Sequence, residues 1–402
     1  MNYSDFFKMI PEASLVVILI VLFVADFVTA KTEERKWFNP LASVLLLLNT
    51  FVCLIPMDAQ TAFGGMYVTS SAVDVMKAIL SMGTFIVILQ SRVWAAKSGK
   101  EGEFYMLIVS TLLGMFAMMS AGNFLMFFLG LEMASVPLAC AVAFDMYRKN
   151  SAEAAAKFIL TATFSSGVML YGISFLYGEF GTLYFADITA KMQATPLTVM
   201  GLVFFFSGLG FKISLVPFHF WTADTYQGAP TTVTGYLSVI SKGAAAFTLL
   251  SILFHVFGGI MEYWHVLLMI VVVLSITIAN LFAVRQSELK RFMAFSSISQ
   301  AGYIMLTAIG NDWASSVSAL SYYVLIYVVA NMAVFTIISV VEQNNNGKTN
   351  IDDYNGFYQT NPRLSFLMTL AMFSLGGIPP FAGMFSKFFV FMSGVNGANI
   401  NT

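Results

Sequence analysis

The chain has 402 residues, 58% of them hydrophobic and only 10% charged, and a formal net charge of −1. Its mean hydropathy is +0.80, whereas a water-soluble domain carries about a quarter charged residues, so a soluble globular fold is excluded. No nucleic-acid partner is expected.

Twelve apolar runs follow one another, at about 11–29, 38–56, 72–91, 104–121, 123–146, 154–176, 197–221, 231–257, 264–284, 291–309, 317–341 and 363–394. Each is long enough to cross a hydrocarbon core of about 30 Å as a helix. Alternation of the strand type is absent and no barrel-strand pattern or strand-linked phosphate loop is expected, so an all-α polytopic membrane fold is predicted, since helices satisfy their own backbone groups in lipid. The first run follows "MNYSDFFKMIPEA" without a small-residue cleavage site and reads as a first span, not a removed signal peptide.

Alternating the loops from the N-terminus puts Lys31, Arg35, Lys36, Arg92, Lys97, Lys100, Arg148, Lys149, Arg285, Lys290, Arg291, Lys348 and Arg363 on one side and only Lys8 and Lys191 on the other. The basic side is the cytoplasmic one, so the N-terminus is expected outside. The polar stretch "EQNNNGKTNIDDYNG" (342–356) reads as a cytoplasmic loop. Cys53 and Cys140 lie in separate runs and support neither a disulfide nor an iron–sulfur site. His255 and His265, one loop apart, do not make the facing pair a haem needs.

The remaining basic residues are five lysines inside the runs: Lys77, Lys157, Lys212, Lys242 and Lys387. A lipid-facing ammonium at mid-membrane costs about 2.5–3.5 kcal/mol even on the lenient scale, so such side chains should face the protein interior. Asp74 is one turn before Lys77 and Glu153 one turn before Lys157, giving each a local partner. Lys212, Lys242 and Lys387 have none, and Glu132 in "FLGLEMASVP" is the one carboxylate deep in a run, while Asp26, Asp74, Asp145, Glu153 and Asp224 sit near run ends. Lysine shifts its proton affinity with burial and with an approaching carboxylate, so this set reads as a proton relay more readily than as fixed counter-charges.

Helix breakers accompany two of these lysines. Pro217 follows Lys212, and "GGIPPFAG" precedes Lys387. Proline removes a backbone donor and clashes with the preceding turn, and broken backbone at membrane depth must line protein or a wet cavity. The two interruptions are five spans apart, an odd offset that inverts orientation, as an inverted repeat requires. On this reading Lys212 titrates beside a break that admits water, and His219, seven residues on along the same face, passes the proton onward.

The stretch "GLGFKISLVPFHFWTADTYQGAPTTVTGYLSVISKGAAAF" (208–247) resembles the antiporter-like, proton-pumping membrane subunits of respiratory complex I. Its "TYQGAPTTVT" part is similar to the subunit N family. "FLGLEMASVPL", "SAEAAAKFILTATFSSGVMLYG", "NLFAVRQSELKRFMAFSSISQAGYIM" and "PRLSFLMTLAMFSLGGIPPFAGMFSKFFVF" agree with this.

The resemblance implies an antiporter-like fold: an N-terminal three-helix segment (1–103), a first inverted repeat of five helices forming a half-channel (104–257), and a second, C-terminally short repeat (258–402). By motif it implies Glu132 in the fifth helix paired with Lys212 in the broken seventh, Lys242 as connecting lysine of the eighth and Lys387 as exit lysine of the broken twelfth. Lys157, His219, Asp224 and Lys290 take supporting positions. In "SSISQAGY" the family often has histidine where this chain has Gln300, which holds water but cannot titrate. Members usually continue for about two helices beyond "SGVNGANINT".

The function implied is proton translocation coupled to electron transfer from NADH to quinone in a bacterial inner membrane. NADH, flavin mononucleotide, iron–sulfur clusters and quinone are expected on other subunits and no cofactor on this chain. Its partners would be the other membrane and peripheral subunits, neighbouring antiporter-like subunits among them, and the lipid bilayer. A subunit of a cation/proton antiporter or a membrane-bound hydrogenase, with the same fold, is the alternative. A non-transporting scaffold is a third reading, against which Glu132, Lys212, Lys242 and Lys387 speak.

Overall fold

The computed structural model describes residues 3–29, 35–55, 59–145, 148–344 and 347–397; the loop cation Lys31 lies outside them. Three helices open the chain: α1 (Ile10–Thr29), α2 (Phe38–Cys53) and α3 (Ser71–Ser98). Between the last two, a small hairpin pairs β1 (Gln60–Ala62) with β2 (Tyr67–Thr69), antiparallel, with Thr61 opposite Val68. That hairpin corrects the expectation of a strand-free chain; it is three residues per strand, too short to show as alternation.

There follow α4 (Glu101–Met119), α5 (Phe124–Val142), α6 (Lys149–Phe180), α7 (Pro196–Ile213), α8 (Phe220–Gly228) and α9 (Thr231–His255). Next come α10 (Met261–Ala283), α11 (Leu289–Leu306), α12 (Trp313–Asn344), α13 (Pro362–Gly376) and α14 (Ala382–Gly397). Among the described residues ten helical segments are long and apolar enough to cross a membrane, and α2 and Ala382–Val395 are shorter apolar helices. The predicted spans are therefore recovered as helices, with the seventh and twelfth each split in two.

Local chemistry sets several of these starts. Ser70 Oγ accepts from Val73 N, Asn123 Oδ1 from Met126 N and Glu288 Oε2 from Arg291 N, filling orphan donors at the heads of α3, α5 and α11. Pro196 and Pro362 occupy first-turn positions where the missing N–H costs nothing.

The splits have one design. α7 ends with Ser214 at φ 67° and α13 with Gly377 at φ 79°. Ser214 N donates to Phe211 O and Leu215 N to Gly210 O, while Gly377 N donates to Ser374 O and Ile378 N to Phe373 O. These are the same two closing bonds, with a proline three residues after the left-handed residue each time and both X–Pro bonds cis. In register, Leu375 corresponds to Lys212 and Asp224 to Lys387: the two lysines lie on opposite sides of their breaks.

α4 packs on α5 and α6 on α7; likewise α10 packs on α11 and α12 on α13. α6 and α12 are each 32 residues long. α9 is the interior helix, with 89% of its apolar window buried against 33% for α10. One turn of π-helix, Leu237–Ser241, interrupts α9 immediately before Lys242, and Asn331 of α12 donates to Ser238 within it. Such a turn inserts an extra residue and re-aims the side chains beyond it.

Candidate functional site

Lys212 is the penultimate residue of α7, so the break begins directly after it, not a turn later as Pro217 led us to expect. Its side chain is buried, and Nζ donates to Ser135 Oγ at 2.7 Å. Ser135 stands one turn beyond Glu132 on α5. Glu132 is half-buried and interacts electrostatically with Lys212 without an ion pair closer than 4.0 Å among the described residues. A neutral hydroxyl in first contact and a carboxylate further off is an arrangement in which a small shift of α5 against α7 changes how strongly the proton is held.

The chain between Ile213 and Phe220 is not helical, so His219 does not share a helical face with Lys212, which corrects the periodicity argument. The ring is buried, stacks on Phe220 and lies close enough to Lys242 for their charges to interact. Around this break Ser214 Oγ, His219 Nδ1, Thr222 Oγ1 and Thr225 Oγ1 are buried without a hydrogen-bond partner among the described residues. Buried polar atoms of this kind are sites for ordered water. The broken backbone is tied down at Val216 N, which donates to Ser275 Oγ of α10 at 2.9 Å.

Lys242 is fully buried. Its Nζ donates to Ser297 Oγ at 2.8 Å and sits 5.3 Å from the centre of the Tyr226 ring. Ser297, Gln300 and Tyr303 recur at three-residue spacing on one face of α11. Gln300 Nε2 donates to Leu375 O at 3.0 Å, and its Oε1 accepts from Tyr323 of α12. Lys387 Nζ donates to that same Leu375 carbonyl at 3.1 Å and to Gly376 O at 3.0 Å, with the Tyr303 ring centre 4.6 Å away. Thus the second break opens two carbonyls at the end of α13, and Lys387 from α14 turns back onto them. Gln300, Tyr323, Tyr327, Ser374, Ser386 and Lys387 face a narrow common space.

Three sequence-predicted residues belong elsewhere. Lys157 is 44% exposed and pairs with Glu153 at 2.8 Å and Asp224 at 2.7 Å; Asp224 also receives Arg291 at 2.6 Å. The Lys157 hydrogen bond, then that of Arg291, holds the Asp224 carboxyl below its ordinary range. This group lines an open cleft with Asn150 and Gln227. Lys290, assigned to a loop by its place in the sequence, is instead buried and donates to Ala229 O at 2.8 Å. It borders a cleft of about 330 Å³ with Arg148, Glu288 and Glu342. Its position in the first turn of α11, after the Glu288 cap, turns it inward.

Sequence reasoning missed Ser135, Ser297 and Tyr226, although the signal for both serines was present. Ser135 lies three residues from Glu132, and Ser297 three from Gln300, the spacing of one helix face. Helical spacing also paired Lys77 with Asp74; the nearer partner is Glu12 of α1, at 2.7 Å against 3.9 Å.

Residues 121–402 match the family described as NADH:quinone oxidoreductase/Mrp antiporter, transmembrane. The chain is 57% identical over 396 residues to the NADH-quinone oxidoreductase subunit N of Phocaeicola vulgatus, covering 98% of this chain and 83% of that protein. It is 49% identical to the subunit N of Azobacteroides pseudotrichonymphae, covering 98% and 82%. A chain of respiratory complex I from Thermus thermophilus superposes with a TM-score of 0.81 at 30% identity, covering 97% of this chain and 84% of that one. A chain of the Mrp complex from a Dietzia species superposes at 0.79 with 19% identity, covering 100% and 76%, a likeness of fold alone.

Proposed function

Because the chain belongs to the NADH-quinone oxidoreductase subunit N family, we propose that it moves protons along the buried axis Glu132–Lys212–His219–Lys242–Gln300–Lys387. It is an antiporter-like membrane subunit of the NADH:quinone oxidoreductase complex and works beside that complex's other subunits. The observation that carries the reading is the Leu375 carbonyl, shared by Gln300 and Lys387. Ser297, which receives Lys242, lies one turn from Gln300 on the same face of α11, and this brings the eighth-span lysine toward the twelfth-span one.

On this reading the chain itself performs no redox chemistry and holds no redox cofactor; NADH, flavin, iron–sulfur clusters and quinone belong to other subunits. The chain takes energy from quinone reduction and returns it as proton movement, about 2.3 kcal/mol per charge against 100 mV. Ser135 and Ser297 give each buried ammonium a partner when charged, and a lysine that loses its proton leaves only a neutral amine on a hydroxyl. Gln300 cannot titrate, so it transmits by orienting hydrogen bonds, its amide donating to Leu375 O and its carbonyl accepting from Tyr323. The matching closures at Ser214 and Gly377, and the equal lengths of α6 and α12, support two inverted repeats, α4–α9 (about 104–257) and a second from α10 onward (about 258–402), each a half-channel. The lysine and arginine distribution supports a bacterial inner-membrane protein with its N-terminus on the periplasmic side.

The test is to tag this chain, extract membranes in mild detergent, and assay the purified assembly, then Lys212→Ala, for inhibitor-sensitive NADH:quinone activity and proton uptake in liposomes. Activity is expected to co-purify, and Lys212→Ala to lower pumping several-fold with assembly intact. Unchanged pumping in an assembled Lys212→Ala complex overturns the relay.

A further inference from the structure

Away from this axis, between the heads of α1 and α3 and the end of α4, lies a deeply buried ionic cluster. Glu12 and Asp74 are each 3% exposed and Lys77 is 0% exposed. Lys77 Nζ contacts Glu12 Oε1 at 2.7 Å and donates to Tyr67 Oη at 3.1 Å, with the Tyr67 and Phe116 rings beside it. Glu12 receives two more donors: Tyr67 Oη to Oε2 at 3.0 Å and Ser120 Oγ to Oε1 at 3.4 Å. Asp74 is served differently. Its Oδ1 accepts from Thr69 Oγ1 at 2.9 Å and is 3.9 Å from Lys77, while its buried Oδ2 has no partner among the described residues. The Cys53 thiol of α2 also lies within electrostatic reach of all three charged groups.

Fully ionised, two carboxylates and one ammonium leave a net charge of −1 in a pocket closed to water. A buried uncompensated charge costs several kcal/mol, and such a site relieves it by binding a proton. Glu12, with an ion pair and two hydroxyl donors, is the better stabilised anion; Asp74, with one donor and a bare oxygen, is where that proton goes. Oδ2 then carries O–H and the carboxyl is neutral, which removes the uncompensated charge.

We propose that Glu12, Asp74 and Lys77 form a second proton-holding site of this chain, in which Asp74 carries one exchangeable proton while Glu12 and Lys77 stay ionised. Exchange runs through the β1–β2 hairpin, whose Thr69 touches Asp74 and whose Tyr67 bridges Lys77 and Glu12. The site heads a polar face of α3: Asp74, Lys77, Ser81 and Thr84 recur at helical spacing, all buried. Ser81 bonds Asn49 and Thr50 of α2, and Thr84 faces the Tyr236 hydroxyl of α9, which also receives Thr111 at 2.6 Å. A polar face thus leads from the cluster to the helix that carries Lys242.

Infrared difference spectroscopy of the purified complex tests this independently of pumping. At neutral pH, wild type minus Asp74→Asn should show the carbonyl stretch of one protonated carboxylic acid. Glu12→Gln should abolish that band, because the cluster is then neutral with Asp74 ionised. In heavy water the Asp74 band should shift on buffer exchange. Asparagine matches the neutral acid in shape, so normal assembly is expected. Should Asp74→Asn fail to assemble, wild type grown with carboxyl-labelled aspartate reports the same band by its isotope shift. Absence of a protonated aspartate band, or a band that never shifts in heavy water, overturns the proposal; the latter means a permanently trapped, structural proton.

Discussion

A lysine ammonium bound to a serine hydroxyl in an apolar interior is poised differently from one in a salt bridge. A hydrogen bond to a charged group is worth about 1.5–3 kcal/mol, too little by itself to offset full desolvation of the ammonium. Lys212 on Ser135 and Lys242 on Ser297 share this arrangement, which leaves the proton transferable. Lys212→Arg keeps the charge but cannot release it at any working pH; proton uptake in liposomes should fall several-fold although the complex assembles. Gln300→Ala removes both the bond to Leu375 O and the acceptor for Tyr323. It should uncouple Lys242 from Lys387 and lower pumping more than Gln300→His, which restores a ring able to donate and accept; liposome assays of the two variants side by side decide this. Asp224 gives a prediction of opposite type. Its folded-state carboxyl affinity is depressed by Lys157 and Arg291, so its contribution is fully present above the ordinary carboxylate range, at about pH 4, and lost as pH falls through the depressed value. For a half-exposed cluster this is about 1 kcal/mol or less. Asp224→Asn should therefore lower the thermal midpoint slightly at neutral pH and not at strongly acid pH.

The elements are held at the separations the axis needs by glycines at close backbone crossings. A Cβ on Gly130 of α5 would lie 2.5 Å from Met118 N, and one on Gly114 of α4 would lie 2.4 Å from Ala134 N. Substituting Gly130→Leu must push α5 off α4 and carry Glu132 and Ser135 away from Lys212. Overpacking costs about 1–3 kcal/mol, and the clash here is with backbone, which cannot rotate aside; yield of assembled complex should drop sharply. At the second break a Cβ on Gly383 would approach Ser374 O to 1.7 Å, so even alanine there should prise α14 from α13 and displace Lys387 from its two carbonyls. The π-turn before Lys242 belongs to the same class of device: it is an irregular stretch tolerated because α12 supplies Asn331 to Ser238.

Across the whole molecule, apolar residues face two solvents. α9 is surrounded by protein, whereas α10 presents Val266, Ile270 and Val273 outward, Val273 being 61% exposed. A lysine on that face has no Ser135 to meet: Val273→Lys should cost about 2.5–3.5 kcal/mol of membrane insertion, visible as a lower inserted fraction in a translocation assay. Lys242, near the middle of its own span, meets Ser297 and the Tyr226 ring in place of lipid, because α9 is packed in protein around it. The exposed apolar faces of α1 and α14, carrying Phe23, Phe27, Phe388 and Phe391, are free to meet lipid or the neighbouring subunits of the complex.

How much of this was legible beforehand depends on the kind of force that sets each feature. Helical class and the two breaks are local: they depend on runs of apolar residues and on proline and glycine, as "FKISLVPFHFW" and "GGIPPFAG" show directly. Lys212 and Lys242, both buried, are also conspicuous in one dimension as charges among apolar neighbours. Their partners are not. Lys77 was assigned to Asp74 by helical spacing, yet Glu12, 65 residues earlier, is nearer, since α1 and α3 are brought together only by packing. Helical periodicity puts His219 on one face with Lys212, yet that helix ends at Ile213. By its place in the sequence Lys290 belongs to a loop, and only the turn of α11 against Ala229 buries it. Membrane class, helical segments and the two breaks follow from the chain alone, because each of those depends on residues adjacent in it. Which hydroxyl receives each lysine, and that Gln300 and Lys387 meet on one carbonyl, depended on helix-to-helix contacts between distant segments, which tertiary packing alone decides.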